Sequence, residues 1–364
     1  MDLIRTFHPI GQGAFYTERH FCGKEEFTIV YDCGSTTLSK QELEKKIKST
    51  FSKDYPIDIL FISHFHADHI NGIEILMNHC SIKRVVLPLL EQDAKTLIKV
   101  TNWIDDKNYT DTRLIDDPKD FFGEIPIITI KDINIDTQNQ DENGINLEIT
   151  TDISITKETQ MDSGTVFTFP NSHWLFIPFN YKFDERKEQF LKVLNLYGLK
   201  LADIDTISKI KRNKTKIIEA YKTFGDLNSN SMAIFSGKQE SDHINYYRFN
   251  CCCFNSLFYF FIQESGCLYL GDIDLTKKNL VTNMSKKLIK VIPFIGILQI
   301  PHHGSLYNFN KSIIFHNIRC AIFSYGTTNT YGHPSDRVIE DVIAQDVYPC
   351  FVTEQQNSIV IQIK

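Results

Sequence analysis

The feature that most constrains the fold of this chain is an apolar run that ends in a dense cluster of histidines. The stretch reads IDILFISHFHADHING, from residue 57 to residue 72. Its apolar part predicts a buried strand that ends near Ser63. Because side chains alternate along an extended chain, His64 and His66 point to one side, where both imidazoles can bind a single ion.

Asp68 and His69 lie at the start of the helix that follows, and they point toward a neighbouring position where a second ion fits. One site then offers nitrogen ligands, and the other mixes nitrogen with oxygen. This mixture suits Zn²⁺, Mn²⁺ or Fe²⁺ better than Ca²⁺ or Mg²⁺. The sequence therefore predicts two divalent metal ions, most simply zinc or manganese.

Similar apolar runs elsewhere predict short strands, and several of them end in a polar residue. Asp32, Asp272, the His302–His303 pair and His333 all follow such runs. Helical patterns lie between them, over residues 38–51, 68–80 and 335–346, the last with Ser335 as N-cap. In layered α/β folds, ligands bind beyond the carboxyl ends of the strands. These polar side chains are therefore expected to converge on one cleft of a mixed α/β protein.

Composition narrows the class of protein without identifying a substrate. The chain has 364 residues, 42% hydrophobic residues and a formal net charge of −6, which argues against bulk electrostatic coating of nucleic acid. The N-terminus shows no secretory signal, and no apolar stretch reaches the roughly 18 residues of a membrane span. Nine irregularly spaced cysteines, with three adjacent at 251–253, favour free thiols in a reducing cytoplasm.

The stretch from residue 91 to residue 228 differs from the rest of the chain. It has an acidic, Asn- and Asp-rich first part and a Lys- and Arg-rich second part from Lys182 to Lys222. We interpret it as an insertion, either a lid or a substrate-contacting subdomain. A solvated helical face explains the same composition.

Taken together, the motifs resemble those of the metallo-β-lactamase fold superfamily. The first motif is Asp32 in YDCGS, the second is the cluster from His64 to His69, and the fourth is Asp272 in LYLGDID. The resemblance implies a single domain over residues 1–364, a four-layer αββα sandwich with an inserted subdomain. It also implies that Asp272 bridges two metal ions and that Asp32 orients the metal ligands by hydrogen bonds.

The segment PHHGS, residues 301–305, resembles the last metal-binding motif of the ComEC-type competence proteins. We favour His303 as the ligand, with His302 facing substrate or serving as an alternative ligand. Three further segments match that subgroup: GQG at 11–13, NSNSMAIF at 228–235 and YGHPS at 331–335. The third motif of the superfamily, a histidine, has no clear counterpart. His173 is the best-placed candidate for this additional ligand, but a lone histidine beside a tryptophan is more often a packed or surface residue.

The resemblance implies hydrolysis of a phosphodiester, with DNA as the expected substrate, by a metal-bridged hydroxide. The candidate catalytic residues are Asp68, His302 and His333. A small-molecule hydrolase for a cyclic nucleotide, phosphorylated metabolite, thioester or lactone is the alternative. A third hypothesis is an inactive module with a protein partner in a defence or DNA-processing complex, although the intact histidine cluster argues against it.

Overall fold

Two large β-sheets stacked face to face form the centre of the molecule. The computed structural model describes residues 2–107, 109–133, 144–154, 159–170, 172–182, 184–221, 230–238, 248–251 and 264–364. The strands are β1 (Asp2–Phe7), β2 (Gly13–Cys22), β3 (Glu25–Ser35), β4 (Pro56–Ile57), β5 (Ile59–Phe61), β6 (Ser81–Ile82), β7 (Val85–Pro88), β8 (Ile127–Ile130), β9 (Asp132–Ile133), β10 (Thr150–Asp152), β11 (Thr159–Met161), β12 (Val166–Thr168), β13 (Trp174–Lys182), β14 (Asn230–Lys238), β15 (Arg248–Cys251), β16 (Gly266–Tyr269), β17 (Ile295–Gln299), β18 (Cys320–Ser324), β19 (Tyr348–Val352) and β20 (Val360–Ile363).

The helices lie between these strands in the chain. They are α1 (Lys40–Thr50), α2 (Ala67–Ile70), α3 (Ile73–His79), α4 (Gln92–Asp105), α5 (Arg113–Asp116), α6 (Pro118–Phe122), α7 (Asp184–Leu196), α8 (Ile207–Arg212), α9 (Lys214–Tyr221), α10 (Leu280–Lys287) and α11 (Asp336–Ile343). In the first sheet the strand order is β11-β8-β7-β5-β3-β2-β1-β20-β15. In the second it is β10-β12-β13-β14-β16-β17-β18-β19, with β9 beside β13.

Alternation along the strands builds the layers. In β5, Ile59 and Phe61 face the second sheet, whereas Leu60 packs under the helices on the outer face. In β14, Ile234 faces the first sheet and Phe235 packs under α10 and α11. Helices therefore cover the outer face of each sheet, and the predicted mixed α/β sandwich of four layers is confirmed.

The predicted helices differ from the observed ones in detail. α1 begins after Ser39, whose hydroxyl accepts from the backbone N–H of Glu42 while the Glu42 carboxylate accepts from Ser39 in return. The pattern over residues 68–80 is divided into α2 and α3, with Gly72 at the N-cap of α3. Ser335 precedes α11 as predicted, but its side chain makes no capping hydrogen bond.

The stretch from residue 91 to residue 228 contributes strands to both sheets and helices to a separate cluster, and its assignment as an insertion stays a prediction. Strands β8 to β13 lie within it and belong to the sheets. Helices α4, α7, α8 and α9 instead pack into a separate apolar cluster, which we call the helical cluster. It is formed by Leu97, Val100, Trp103, Phe190, Leu194, Leu199, Ile204, Ile210, Ile217 and Ala220. Much of the acidic first part, and residues 222–229, lie outside the described residues.

A group of charged side chains is enclosed between the two sheets. Arg5 of β1 donates to Glu18 of β2 over 2.7 Å, and both side chains are almost fully buried. Glu18 also accepts from His20, Ser236 and Tyr269 over 2.7–2.8 Å. Burying charge is costly unless each group finds partners. We call these five residues the inter-sheet cluster.

Within the described ranges, none of the helices has the length and apolar character required to cross a bilayer.

Candidate metal centre

The predicted site residues come together where strand ends of the two sheets meet. His64, His66, Asp68 and His69 lie in the segment that runs from the end of β5 into α2. The turns after β16 and β17 bring Asp272 and His303 to the same place from the second sheet. The side chains of His64, His69, Asp272 and His303 are each less than 5% exposed.

Three overlapping groups of side chains have the geometry to hold a cation. Within each group, one ligand atom per residue lies within 4.8 Å of the others, and the groups are His64 with Asp68 and His69, His64 with His66 and Asp272, and His69 with Asp272 and His303. Asp272 thus joins the His64–His66 pair to the His69–His303 pair. This sharing is the arrangement that two neighbouring ions require.

Glycines allow the histidine segment to lie this deep. A Cβ on Gly13 would lie 2.3 Å from the carbonyl oxygen of Asp68, and one on Gly34 would lie 2.6 Å from the backbone of His69. Gly13 also has φ +133, a backbone conformation that residues with a side chain rarely adopt. The backbone of α2 can therefore rest directly on β2 and β3.

Asp32, near the end of β3, orients the histidine segment by hydrogen bonds. Its carboxylate accepts the backbone N–H of Ser63 over 2.7 Å and the Ser63 hydroxyl over 2.6 Å. The same carboxylate lies 2.8 Å from Nδ1 of His69. With Nδ1 donating to Asp32, Nε2 of His69 is directed at Asp272, 3.3 Å away. Asp32 thus occupies the position expected for a residue that orients metal ligands.

The donor atoms fit divalent cations. Nε2 of His64 and Nε2 of His69 are buried and make no hydrogen bond within the described residues. They face the Asp272 carboxylate at 3.5 Å and 3.3 Å. A buried polar atom without a hydrogen-bond partner costs free energy of folding, and a bound cation would provide the missing partner. Imidazole and carboxylate donors together suit transition metals.

The charge balance of the pocket points the same way. Burial alone would lower the pKa of His69, but the charges of Asp272, Asp68 and Asp32 outweigh it and raise that pKa well above the ordinary value. Burial also lowers the pKa of His303, but the charges of Asp272 and Asp68 outweigh this effect and raise that pKa. Conversely, these histidines hold the pKa of Asp272 far below its usual range, against the effect of burial. The pocket is therefore built to neutralise carboxylates with positive charge.

The adjacent histidines are separated by an unusual turn. His302 has φ 49 and His303 has φ 56, and both are left-handed conformations that strain a side-chain-bearing residue. His303 points inward, with Nε2 at 3.0 Å from Asp68 and Nδ1 at 2.8 Å from the carbonyl oxygen of Ser324. His302 points to the cleft mouth, where its ring centre lies 5.4 Å from that of His333.

The structure does not bring His173 to the cluster. His173 is exposed and precedes Trp174, whose end of β13 pairs with Lys238 of β14. The histidine cluster lies at the other end of these strands, where the N–H of Met232 donates to the carbonyl oxygen of Ser63. Met232 pairs with Asn180, so six residues of strand, roughly 20 Å, separate Trp174 from the cluster. His173 is therefore too distant to be the additional ligand.

Ser231, in the NSNSMAIF segment noted in the sequence, lies at the end of β14 that is next to the histidine cluster. Its side chain is buried, and its hydroxyl accepts the backbone N–H of Asp272 over 3.2 Å. A Cβ on Gly271 would lie 2.7 Å from this hydroxyl, so the turn that carries Asp272 is closely packed. Asn228 of the same segment lies outside the described residues.

Sequence analysis missed one residue at the centre. Asn102 of α4 is 1% exposed and hydrogen-bonds the backbone on both sides of His66. No local sequence pattern indicates this contact, because the partner segment is 35 residues distant in sequence.

The match to a family model agrees with the geometry. The family model described as the metallo-beta-lactamase superfamily matches residues 21–156, which include Asp32 and the His64–His69 segment. This match supports the superfamily assignment, while the ComEC-type subgroup stays a prediction. Among 15 matching chains of solved structures is unliganded yeast PDE1, with 9% identity, a TM-score of 0.42 and coverage of 99% of both chains. No curated protein matches the sequence.

Proposed function

We propose that this protein is a two-metal phosphodiesterase that hydrolyses DNA. The coarser assignment, a metal-dependent hydrolase, is supported by the superfamily match and by the buried imidazole and carboxylate donors. The observation that carries the proposal is the shared position of Asp272 between two groups of histidines. Two adjacent cations suit in-line displacement at phosphorus because they stabilise both the attacking and the leaving oxygen.

The residues of the chain position and polarise the reactants. When bound, divalent ions would supply Lewis-acid stabilisation and lower the pKa of water. His64, His66, Asp68, His69, Asp272 and His303 would hold them. Asp32 fixes the ring of His69, and the Ser324 carbonyl fixes that of His303, so each presents Nε2 to the centre. Asp68 is also placed to accept a proton at the edge of the cluster, since its side chain is 15% exposed.

His302 and His333 are suited to contact the substrate. Both are half-buried at the cleft mouth, with the ring of His302 between those of His303 and His333. An imidazole there can donate to a phosphoryl oxygen or protonate the leaving group. The two histidines therefore take the acid and anion-binding roles in the proposal.

The distribution of basic side chains bears on the size of the substrate. Lys182, Lys187 and Lys209 form ion pairs with acidic neighbours, which reduces their capacity to bind a nucleic-acid backbone. Exposed basic side chains remain on α8 and α9, at Lys211, Arg212, Lys214 and Lys216. The exposed basic side chains of α8 and α9 favour DNA as the substrate. The ion pairs of the other three lysines favour a small phosphodiester, which is the second candidate substrate.

Hydrolysis assays with the purified protein test the proposal. Linear single- and double-stranded DNA and a cyclic dinucleotide are incubated with Mn²⁺ or Zn²⁺ and wild type, His66→Ala or His79→Ala. His79 is the matched control, since it lies in α3 and its Nε2 contacts only the carbonyl oxygen of Phe51 among the hydrogen bonds described. We expect cleavage of DNA by wild type and His79→Ala, and none by His66→Ala.

Other outcomes have definite meanings. Cleavage of the cyclic dinucleotide alone would establish the small-phosphodiester alternative. Equal cleavage by His66→Ala would exclude this cluster as the active site. Localisation in the cytoplasm and a protein partner in a defence or DNA-processing complex stay predictions of the sequence.

A further inference from the structure

Helix α4 hydrogen-bonds the segment that carries the metal ligands through the side chain of Asn102. The amide of Asn102 donates to the carbonyl oxygen of Phe65 over 2.9 Å and accepts the N–H of Ala67 over 3.1 Å. These two backbone groups flank His66. The side chain is 1% exposed, so water does not compete for either bond.

Asp32 holds Ser63 and His69 of this segment, whereas Asn102 is the side chain that, among the described hydrogen bonds, holds the backbone directly beside His66. His66 has an extended backbone and occupies the N-cap position of α2, but its side chain makes no capping hydrogen bond. The N–H of Ala67 is one of the first amides of that helix and has no partner within it. Asn102 therefore supplies from another helix the hydrogen bond that a capping side chain would otherwise provide.

The opposite side of α4 is anchored in the helical cluster. Leu97, Val100 and Trp103 pack there, and the buried ammonium group of Lys99 donates to Asp116 and to the carbonyl oxygen of Asp205. The position of Asn102 is therefore set by residues far from the metal ligands.

We propose that Asn102 is a positioning residue that holds His66 in its metal-binding geometry, so that the helical cluster determines metal affinity. This inference rests on the metal centre of the proposed function but not on the identity of the substrate. A backbone held on both sides of a ligand loses less freedom when the ion binds, and outer partners of this kind typically change metal affinity by about 10- to 100-fold.

Three variants test the proposal. Asn102→Ala removes both hydrogen bonds, and Asn102→Leu removes them while keeping the volume of the side chain. Thr101→Ala is the matched control, because Thr101 is buried in the same helix and its hydroxyl donates to Leu97 of that helix. Zn²⁺ and Mn²⁺ dissociation constants are measured by chelator competition. Hydrogen exchange of the Ala67 amide is measured on the metal-free protein.

We expect both Asn102 variants to bind the metals about 10- to 100-fold more weakly and to lose protection of the Ala67 amide. Thr101→Ala should match wild type in both measurements. Wild-type metal affinity in Asn102→Leu would overturn the inference, since the hydrogen bonds would then be dispensable. If the variants do not fold, a wild-type Ala67 amide that exchanges as fast as an exposed loop amide overturns it equally. A wild type that binds no metal would instead refute the proposed function.

Discussion

The inter-sheet cluster and the metal centre are two groups of buried charged residues in the same sandwich, with opposite properties. In the inter-sheet cluster, the carboxylate of Glu18 faces the guanidinium of Arg5 and accepts hydrogen bonds from four side chains. In the metal centre, the ion-pair partners described for the carboxylates of Asp32, Asp68 and Asp272 are histidines, and Asp32 also accepts from Ser63. A permanently charged guanidinium balances the carboxylate in the first group, whereas imidazoles, which can also bind metal, balance the carboxylates in the second.

The comparison separates a structural from a functional group of buried charges. Both have shifted pKa values, so a shifted pKa alone does not identify a site. The difference is an excess of carboxylate over fixed cations, together with imidazole nitrogens directed at a common point. In the inter-sheet cluster the charged side chains hydrogen-bond one another, whereas in the metal centre several buried imidazole nitrogens are directed at a point that a ligand can occupy.

The largest expected effect comes from replacing the shared carboxylate. Asp272→Asn should lower hydrolytic activity by about a thousandfold, because both ions lose a negatively charged ligand. Asp274→Asn, two residues further along the chain, is the matched control, since Asp274 accepts from Thr276 and belongs to no ligand group among the described residues. Metal content and turnover are measured together. Retained activity with both ions bound would remove the distinction between the two clusters.

Breaking the inter-sheet cluster should affect stability instead. Glu18→Gln leaves the buried Arg5 without its counterion, and we expect a loss of about 3–5 kcal/mol in the free energy of unfolding. Glu26→Gln makes the same change in the exposed pair with Arg19 and should cost less than about 1 kcal/mol. Urea unfolding gives both values. Activity per folded Glu18→Gln molecule should equal that of wild type, and a loss of turnover would show that the clusters are coupled.

Removal of metal should destabilise wild type but not Asp272→Asn. Binding to the folded state alone adds about 2.7 kcal/mol when the free ion exceeds its dissociation constant a hundredfold. Unfolding is followed with and without a chelator. Equal stability of wild type in both conditions would contradict a preformed cation site.

The smallest effect concerns acid. Burial would raise the pKa of Glu18, but Arg5 and His20 outweigh it and lower the pKa below the ordinary value. As the pH falls, the Glu18 carboxylate is protonated in the unfolded chain before it is protonated in the folded protein. The contribution of ionised Glu18 to folding stability is therefore complete above about pH 4.3 and is lost as the pH falls further. Unfolding free energies of the metal-free protein between pH 7 and pH 3 should decline less steeply in Glu18→Gln than in wild type. Identical slopes would exclude Glu18 as a source of acid sensitivity.

Sequence reasoning predicted much of the metal centre and little of its surroundings. His64 to His69 share one local segment, so their spacing was informative, whereas the roles of Asp32, Asp272 and His303 were implied by the resemblance to the motifs of a known superfamily. Asn102 and the Arg5–Glu18 pair depend on which strands and helices become neighbours, and no local pattern encodes that. The strand pairings within residues 91–228 were not predicted for the same reason, since the strands β8 to β12 are short and carry weak periodicity.

The glycines beneath the metal centre have a consequence for engineering. Any side chain at Gly13 or Gly34 would collide with the backbone of α2, which cannot retreat without moving the ligands. A library randomised at these two positions should therefore return glycine alone. Variation intended to alter metal preference or substrate range is better directed at His302, His333 and the exposed Tyr331 beside them, where the cleft opens and new side chains have space.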